Sequence, residues 1–166
     1  MYEIWEDIFV YLKQISKDST GITLDITQAS EEYIEAIIRK IVPEVEEGTV
    51  VIEKIARAAG IKTKVVVNSK DPNIDAVGVM IGHKWDRINI LLSLLDGEKV
   101  DFIQYSDDAQ KMIKACLRPA DAQQISINGN RAQVVISENQ KAMAIGKSAS
   151  NIKLASKLCG MSIEII

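Results

Sequence analysis

The sequence predicts an α+β fold in which two tandem modules of similar organisation follow an N-terminal helix. With 166 residues, 47% apolar and 26% charged, the chain can bury the core of one ordinary or two compact domains. Helical and alternating apolar patterns succeed one another along it. The stretch VMIGHKWDRINILLSLLDGEKVDFI aligns with the later AMAIGKSASNIKLASKLCGMSIEII, with a single-residue gap near the end. Each module should therefore run helix, strand, strand, helix, Gly-containing turn, helix, strand.

The N-terminal third predicts a helix, a strand and a second helix. Apolar residues recur at helical spacing from Tyr2 to Ser16 and alternate with polar residues over 22–26. Ser30 can cap the next helix, which should end just before Pro43. Five apolar side chains of the first helix are expected to pack on the sheet of the first module, with docking to another protein as the alternative. They are Ile4, Trp5, Ile8, Phe9 and Leu12.

Alternating runs in both modules predict strands, and periodic runs predict helices. The strands are expected over 50–58, 61–68, 100–103, 125–127, 132–136 and 161–166. The helices are expected over 88–95, from 106 to just before Pro119, and over 152–159. Asn128-Gly129-Asn130 is a tight-turn signal between two of the strands.

These elements divide the chain into three parts. Residues 1–28 hold the N-terminal helix and a short strand, residues 29–104 the first module, and residues 105–166 the second. The linker from Gln104 to Asp107 is short and contains neither Gly nor Pro. We therefore expect the two modules to pack as one rigid body.

Composition excludes several classes of protein. No apolar stretch reaches the ~18 residues of a membrane span, and the acidic N-terminus is unlike a secretory signal. The two cysteines form neither a ligand pattern nor a disulfide framework, so we expect a cytoplasmic protein without metal, cofactor or membrane partner. The net charge is −3, but residues 1–49 carry 4 basic and 11 acidic side chains, whereas residues 104–166 carry 8 and 5. The C-terminal part can therefore present a basic face.

The most informative feature is an Ile-Gly turn between two helices that occurs once in each module. Gly82 and Gly146 lie at equivalent places, with Lys84 two residues after the first and Lys147 one residue after the second. Glycine allows another backbone to approach, and the next helix directs N–H groups and its positive end into the gap. A tight helix–helix turn with solvated lysines is the simpler alternative for one copy. Because the turn occurs at equivalent places in both modules, we favour the interpretation that it binds a phosphodiester backbone.

Three long runs surround these turns: VPEVEEGTVVIEKIARAAGIKTKVVVNSKDPNIDAVGVMIG, GEKVDFIQYSDDAQKMIKACLRPA and QKAMAIGKSASNIKLASKLCGMSIEI. They resemble the tandem KH region of the NusA family of bacterial transcription termination and antitermination factors. The resemblance extends from about Gly21 to Ile166 and implies two type II KH domains, each a three-stranded sheet with helices on one face. It also implies that the two loops hold single-stranded RNA, about four nucleotides per KH clamp.

Both loops depart from the G-x-x-G pattern of the family at its second glycine. The first reads Gly82-His83-Lys84-Trp85 and the second reads Gly146-Lys147-Ser148-Ala149. Ala149 adds only a methyl group, whereas Trp85 brings a large indole to the point of closest approach. Trp85 can stack on a base, or it can be buried against the neighbouring module or a partner. We therefore expect RNA contact at the second loop more than at the first.

A further departure concerns the residues before the first module. NusA proteins carry a polymerase-binding domain and an OB-type barrel ahead of the KH pair, and here only Gly21 to Thr27 resembles the end of that barrel. Met1 to Thr20 is interpreted as an unrelated helix, so the chain resembles a relative made of the KH pair alone. RNA polymerase or another transcription factor stays a candidate partner.

We interpret the chain as a non-enzymatic RNA-binding factor that modulates transcription termination and antitermination. The alternative is a protein-interaction scaffold with degenerate loops. The single histidine, His83, has no obvious carboxylate partner for a catalytic triad, and the acidic run over 44–47 is interpreted as a solvated face. The residues expected to contact RNA are Gly82, His83, Lys84, Trp85, Arg87, Gly146, Lys147, Ser148, Ala149, Asn151 and Lys153.

Overall fold

The structure is a computed structural model that describes residues 7–166. The strands are β1 (Tyr11–Asp18), β2 (Gly21–Thr27), β3 (Val50–Ala58), β4 (Lys62–Ser69), β5 (Lys99–Gln104), β6 (Ala122–Asn128), β7 (Arg131–Ile136) and β8 (Ser162–Ile165). The helices are α1 (Glu31–Ile41), α2 (Pro43–Glu46), α3 (Ala76–Ile81), α4 (Asp86–Leu94), α5 (Ala109–Leu117), α6 (Glu138–Ile145) and α7 (Ser150–Cys159). None of these helices is both long enough and apolar enough to cross a membrane.

Three sheets divide the described chain into an N-terminal hairpin and two modules. The hairpin pairs β1 with β2, and the modules contain the sheets β3-β4-β5 and β6-β7-β8. In each module the first two strands are antiparallel, and the third runs parallel to the middle strand. The same order of elements in both modules confirms the predicted repeat and the α+β class.

The first helices of the two modules begin and end where side-chain chemistry predicts. The Ser30 hydroxyl caps α1 by accepting a hydrogen bond from the Tyr33 N–H at 3.3 Å, and α1 ends before Pro43. The Asp108 carboxylate caps α5 in the same way. Each helix buries an apolar stripe, which in α1 consists of Tyr33, Ile34, Ile37 and Ile38.

The central strand β4 joins the two modules because its alternate side chains face different cores. Val65 and Val67 pack in the core of the first module, whereas Val66 packs in the core of the second. The Lys54 ammonium also donates to the backbone carbonyl of Leu158 at 2.9 Å, from β3 to α7. This shared core confirms the expected direct packing of the modules, and it covers the second face of the first sheet.

A buried lysine lies at the same junction. Lys64 has no solvent exposure, and its ammonium donates to the Asp101 carboxylate at 2.8 Å and to the Arg118 carbonyl at 3.2 Å. Burial lowers the pKa of Lys64, and the Asp101 carboxylate opposes that shift. Asp101 compensates the buried charge within the first module, and the hydrogen bond to the Arg118 carbonyl joins the first module to the second.

The predicted N-terminal helix is wrong in the part that the structure describes. Residues 11–16 lie in β1, which pairs with β2 from Tyr11 opposite Thr27 to Asp18 opposite Gly21. Residues 2–6 of the predicted helix lie outside the described residues.

The turn after β1 explains this difference. Leu12 and Ile15 fit either a helical or an extended period. The Asp18 carboxylate accepts hydrogen bonds from the N–H groups of Thr20 at 2.7 Å and Gly21 at 3.2 Å, which closes a hairpin. Pairing with β2 then satisfies backbone groups of both strands.

The expected packing of the N-terminal side chains on the first sheet is also wrong. Ile8, Phe9 and Leu12 are 43%, 49% and 44% exposed. Ile4 and Trp5 lie outside the described residues. The Phe9 ring instead lies on the surface, 4.3 Å from the ammonium of Lys40.

Candidate nucleic-acid interface

The two glycine-containing loops have nearly the same backbone. Gly82 has φ 81° and ψ 174°, and Gly146 has φ 75° and ψ 171°. The next three residues form a 3₁₀ turn in both loops, and α4 and α7 follow at once. The last two residues of each turn are left-handed: Lys84 and Trp85, and Ser148 and Ala149. The duplicated sequence therefore folds into duplicated geometry.

Both glycines are required by backbone conformation and by space. A positive φ with an extended ψ is open essentially to glycine alone. A Cβ on Gly82 would lie 2.0 Å from Oδ1 of Asp86 and 2.7 Å from Cγ of Arg87. On Gly146 it would lie 2.8 Å from Cβ and 3.0 Å from the backbone N of Asn151. At each glycine, the backbone therefore lies in close contact with the first turn of the helix that follows the loop. The sequence had suggested that the glycine makes room for the backbone of a ligand.

The second loop presents cations at the start of α7. Lys147, Ser148 and Lys153 are exposed, and the Lys153 ammonium lies 3.5 Å from the Ser148 carbonyl oxygen. Ala149, the N-cap residue of α7, has no side chain that can accept from the first-turn N–H groups. The positive end of α7 and the two lysines are therefore available to an anion, because residues 146–153 contain no carboxylate that would compete for them.

Asn151 lies beneath this loop rather than on its surface. It is 2% exposed, and its side-chain N–H groups donate to the carbonyls of Leu117 at 3.1 Å and Ala144 at 3.0 Å. Its Oδ1 is buried without a hydrogen-bond partner among the described residues. This placement favours a role for Asn151 in joining α5, α6 and α7 over direct contact with a phosphate.

The first loop carries carboxylates beside its cations. Asp86 follows the loop directly, and its Oδ1 accepts from the Arg87 N–H at 2.7 Å. The Arg87 guanidinium donates to both carboxylate oxygens of Glu44, at 2.9 and 3.1 Å, and to the Val79 carbonyl at 2.9 Å. Hydrogen bonding from Arg87 holds the pKa of Glu44 below its usual range. The charge of Arg87 is therefore largely compensated within the protein.

The remaining side chains of the first loop point into solvent. Trp85 is 64% exposed, so of the alternatives for this side chain the structure excludes burial against the neighbouring module. His83 and Lys84 are exposed as well. An exposed indole in a left-handed position is available to stack on a base.

Two residues that decide the charge of the first loop were missed in the sequence. Glu44 was assigned to a solvated face, but it pairs with Arg87, 43 residues away, and no local pattern indicates that contact. Asp86 is visible in the sequence, because the alignment of the two modules places it opposite Ser150. The first loop therefore has a carboxylate where the second has a hydroxyl group.

Two family models match consecutive parts of the chain. Residues 28–105 match the NusA-like first KH domain, and residues 109–166 match the NusA-like second KH domain. The chain belongs to the NusA-like KH family. This confirms the resemblance seen in the sequence and identifies the two modules as the tandem KH domains of that family.

Curated relatives extend the comparison beyond the KH domains. The chain is 39% identical to the transcription termination/antitermination protein NusA of Thermus thermophilus over 165 residues, which cover 98% of this chain and 43% of the relative. It is 35% identical to the NusA protein of Borreliella burgdorferi, covering 99% of this chain and 35% of the relative. For Bacillus subtilis NusA the identity is 30%, over 99% of this chain and 45% of the relative. The chain thus spans less than half the length of these NusA proteins.

These matches correct the interpretation of the N-terminal residues. Because the Thermus thermophilus match covers 98% of the chain, it includes most of residues 1–20. This segment is therefore also similar to a NusA protein, and the interpretation of Met1 to Thr20 as unrelated is wrong. The β1–β2 hairpin is a part of the chain that the NusA proteins share.

A solved structure supports the fold alone. The crystal structure of APE1850 superposes with a TM-score of 0.57 at 20% identity, covering 82% of this chain and 97% of that one. At this level of identity the likeness supports the overall fold and carries no residue roles.

Proposed function

We propose that this NusA-like KH pair binds single-stranded RNA through its second loop and so serves a transcription termination and antitermination factor. The observation that carries the proposal is the open, carboxylate-free start of α7, with Lys147 and Lys153 beside it. An anionic backbone gains from the helix end and from both cations. The names of the NusA relatives supply the biological setting.

The first loop contributes a weaker contact in this proposal. Asp86 stands where the RNA backbone would approach α4, and Arg87 is already paired with Glu44. The exposed indole of Trp85 offers stacking on a base instead, an interaction of about 1–3 kcal/mol per base. In this proposal the second loop binds RNA phosphates through its positive charge, and the first loop binds a base by stacking.

The test is a titration of a labelled single-stranded RNA octamer against the wild type and Lys147→Glu. We expect Lys147→Glu to bind at least tenfold more weakly at low salt, because it removes a phosphate contact and adds a repulsive charge. Lys111→Glu is the matched control, since Lys111 is exposed on α5 outside both loops. The wild-type affinity should fall with salt, with a log–log slope of about −1.4 for the two lysine contacts with phosphates.

A protein-interaction scaffold is the second candidate, and the exposed apolar side of the β1–β2 hairpin favours it. Leu12, Ile15, Ile22, Leu24 and Ile26 are 44–69% exposed. An apolar patch of this kind marks a protein contact, for which RNA polymerase or another transcription factor is the proposed class of partner. Identical RNA binding by wild type and Lys147→Glu, or no saturable binding by either, would favour the scaffold over the RNA-binding factor.

A further inference from the structure

Two free cysteines meet at the junction of the KH domains. Cys116 lies near the end of α5, and Cys159 is the last residue of α7. Both belong to the core that the second domain shares with β3 and β4, where Cys116 is fully buried and Cys159 is half-buried. The Cys116 thiol donates a hydrogen bond to the Cys159 sulfur. Their spacing in the sequence carries no disulfide pattern, so only folding brings these two thiols together.

Lys54 of the first domain places a cation beside this pair. Its ammonium reaches from β3 to the Leu158 carbonyl at 2.9 Å, one residue before Cys159. The positive charge of Lys54 favours the thiolate form of both cysteines. Because Lys54 is exposed and Cys159 is half-buried, the Cys159 side of the pair is the side that a small solute reaches from solvent.

The surroundings of the two sulfur atoms also determine which one reacts first. A thiolate, rather than a thiol, is the nucleophile in reactions of cysteine. The hydrogen bond from Cys116 lowers the pKa of Cys159; burial opposes that shift, and the Lys54 ammonium adds to it. The same hydrogen bond and burial both raise the pKa of Cys116. Cys159 is therefore the attacking thiol, and Cys116 is the thiol held in reserve behind it.

We propose that Cys159 and Cys116 form a redox-active pair, which a hydroperoxide converts into an intramolecular disulfide. The Cys159 thiolate attacks one oxygen of hydrogen peroxide and breaks the O–O bond, which gives a sulfenic acid; the departing hydroxide takes up the Cys159 proton as water. The Cys116 sulfur then attacks the Cys159 sulfur, and the sulfenic hydroxyl leaves with the Cys116 proton as a second water. The two thiols lose two electrons and two protons in total, and the peroxide accepts them. An external dithiol reverses the reaction by thiol–disulfide exchange.

The position of the pair makes this disulfide a link at the domain junction. It would join the end of α5 to the end of α7, where both helices pack in the core that includes Ala56 of β3 and Val66 of β4. The chain contains two cysteines in all, so one intramolecular disulfide is possible. The proposal concerns the far end of α7 from the second loop, and it holds or fails independently of RNA binding.

The experiment treats the folded chain with a small excess of hydrogen peroxide, alkylates the remaining thiols and maps the peptides without reduction. We expect a monomer that has lost two hydrogen atoms, a single link between Cys116 and Cys159, and full reversal by dithiothreitol. Lys54→Gln should form the disulfide about threefold more slowly, because the thiolate loses its neighbouring cation, whereas Lys54→Arg should keep the wild-type rate. Lys17→Gln, at an exposed site on the hairpin, is the matched control.

Single cysteine variants separate the roles of the two sulfur atoms. Cys116→Ser should stop at the sulfenic acid of Cys159, which dimedone traps for mass spectrometry. Cys159→Ser should leave a thiol that hydrogen peroxide oxidises roughly tenfold more slowly, because Cys116 is fully buried. Circular dichroism checks that each variant is folded, and Cys116→Ala replaces Cys116→Ser if the buried hydroxyl impairs folding.

Three results would overturn the redox pair. They are two free thiols after peroxide treatment of the folded wild type, disulfide-linked dimers in place of the intramolecular link, and direct conversion of Cys159 to the sulfinic acid. Faster oxidation of Cys116 than of Cys159 in the single variants would overturn the assignment of the attacking thiol. An unchanged rate in Lys54→Gln would overturn the part assigned to Lys54.

Discussion

Around the first KH loop, carboxylates stand beside the cations, whereas around the second loop the lysines stand alone. In the first loop, the Asp86 and Glu44 carboxylates accept hydrogen bonds from Arg87. In the second loop, Ser150 and Asn151 occupy the positions equivalent to Asp86 and Arg87. The backbone angles at the glycines differ by 6° or less, and those at Trp85 and Ala149 by 10° or less. One backbone geometry thus supports two different electrostatic environments.

This difference separates what the turn requires from what a ligand would require. The turn needs glycine at its first position, because only glycine takes that conformation beside the next helix. The exposed side chains that follow differ between the two loops although the backbone is the same, with Lys84 in the first loop where Ser148 stands in the second. The side chains after the glycine, rather than the turn itself, therefore determine which loop attracts an anion.

The largest expected effect comes from the loop glycines. Gly146→Ala should lower the free energy of unfolding by about 3 kcal/mol, and Gly82→Ala by about 2 kcal/mol. At Gly146 the new Cβ meets the Cβ and the backbone N of Asn151, whereas at Gly82 its nearest contact is the Asp86 carboxylate, which can rotate away. Urea unfolding followed by circular dichroism measures both. Gly129→Ala, in a left-handed turn with open space, is the control at about 1 kcal/mol, and equal losses at the two loops would contradict the distinction.

The ion pair behind the first loop gives the next effect. Glu44→Gln should lower the free energy of unfolding by about 1 kcal/mol at pH 7, which is the upper end for a partly exposed ion pair. The effect is at this end because the Arg87 guanidinium donates to both carboxylate oxygens of Glu44. Since the pKa of Glu44 is lowered from 4.5 in the folded state, its contribution is complete above pH 4.5 and is lost as the pH falls through the folded pKa. An NMR titration of the Glu44 carboxyl, with urea unfolding at several pH values, measures this. A Glu44 pKa at or above 4.5 would refute it, and Glu164→Gln on β8 is the control variant.

Removing the carboxylate of the first loop should bring the two loops closer in behaviour. Asp86→Ser installs the residue type of the second loop and should raise the affinity for a single-stranded RNA octamer about threefold. Fluorescence anisotropy at low salt measures the change. Asp25→Ser, an exposed site on the hairpin, alters the net charge equally and should have little effect. A similar gain from both variants would assign the effect to net charge alone.

The smallest effect concerns backbone strain in the second loop. Ala149 has φ 58° and ψ 26°, a conformation that glycine takes without cost. Ala149→Gly should therefore raise the free energy of unfolding by about 0.5 kcal/mol, after the added flexibility of the unfolded chain is counted. Ala142→Gly in the middle of α6 should lower it by about 1 kcal/mol. Thermal unfolding of both variants tests the sign, and a loss for Ala149→Gly would contradict it.

Local sequence signals predicted much of the fold. Ser30 and Pro43 mark the ends of α1, and Asn128-Gly129-Asn130 marks the turn between β6 and β7, because capping and turn geometry depend on adjacent residues. The N-terminal segment was mistaken for a helix because its apolar spacing fits two periods. Only pairing with β2 decides between them.

The candidate site was predicted only in part, for the same reason. The two glycine loops are visible as an internal repeat, so their residues were found. The ion pair between Glu44 and Arg87 joins distant parts of the chain. No short-range pattern carries such contacts.

The amino-acid sequence alone determined the two KH modules, their glycine turns and the excess of positive charge at the second loop, because these depend on residue type and spacing along the chain. The tertiary structure decided that Arg87 is neutralised, that Asn151 is buried with an unsatisfied oxygen, and that Cys116 and Cys159 meet at the domain junction. Burial and pairing are properties of groups brought together by folding, and they set the charge and hydrogen-bonding capacity that a ligand meets.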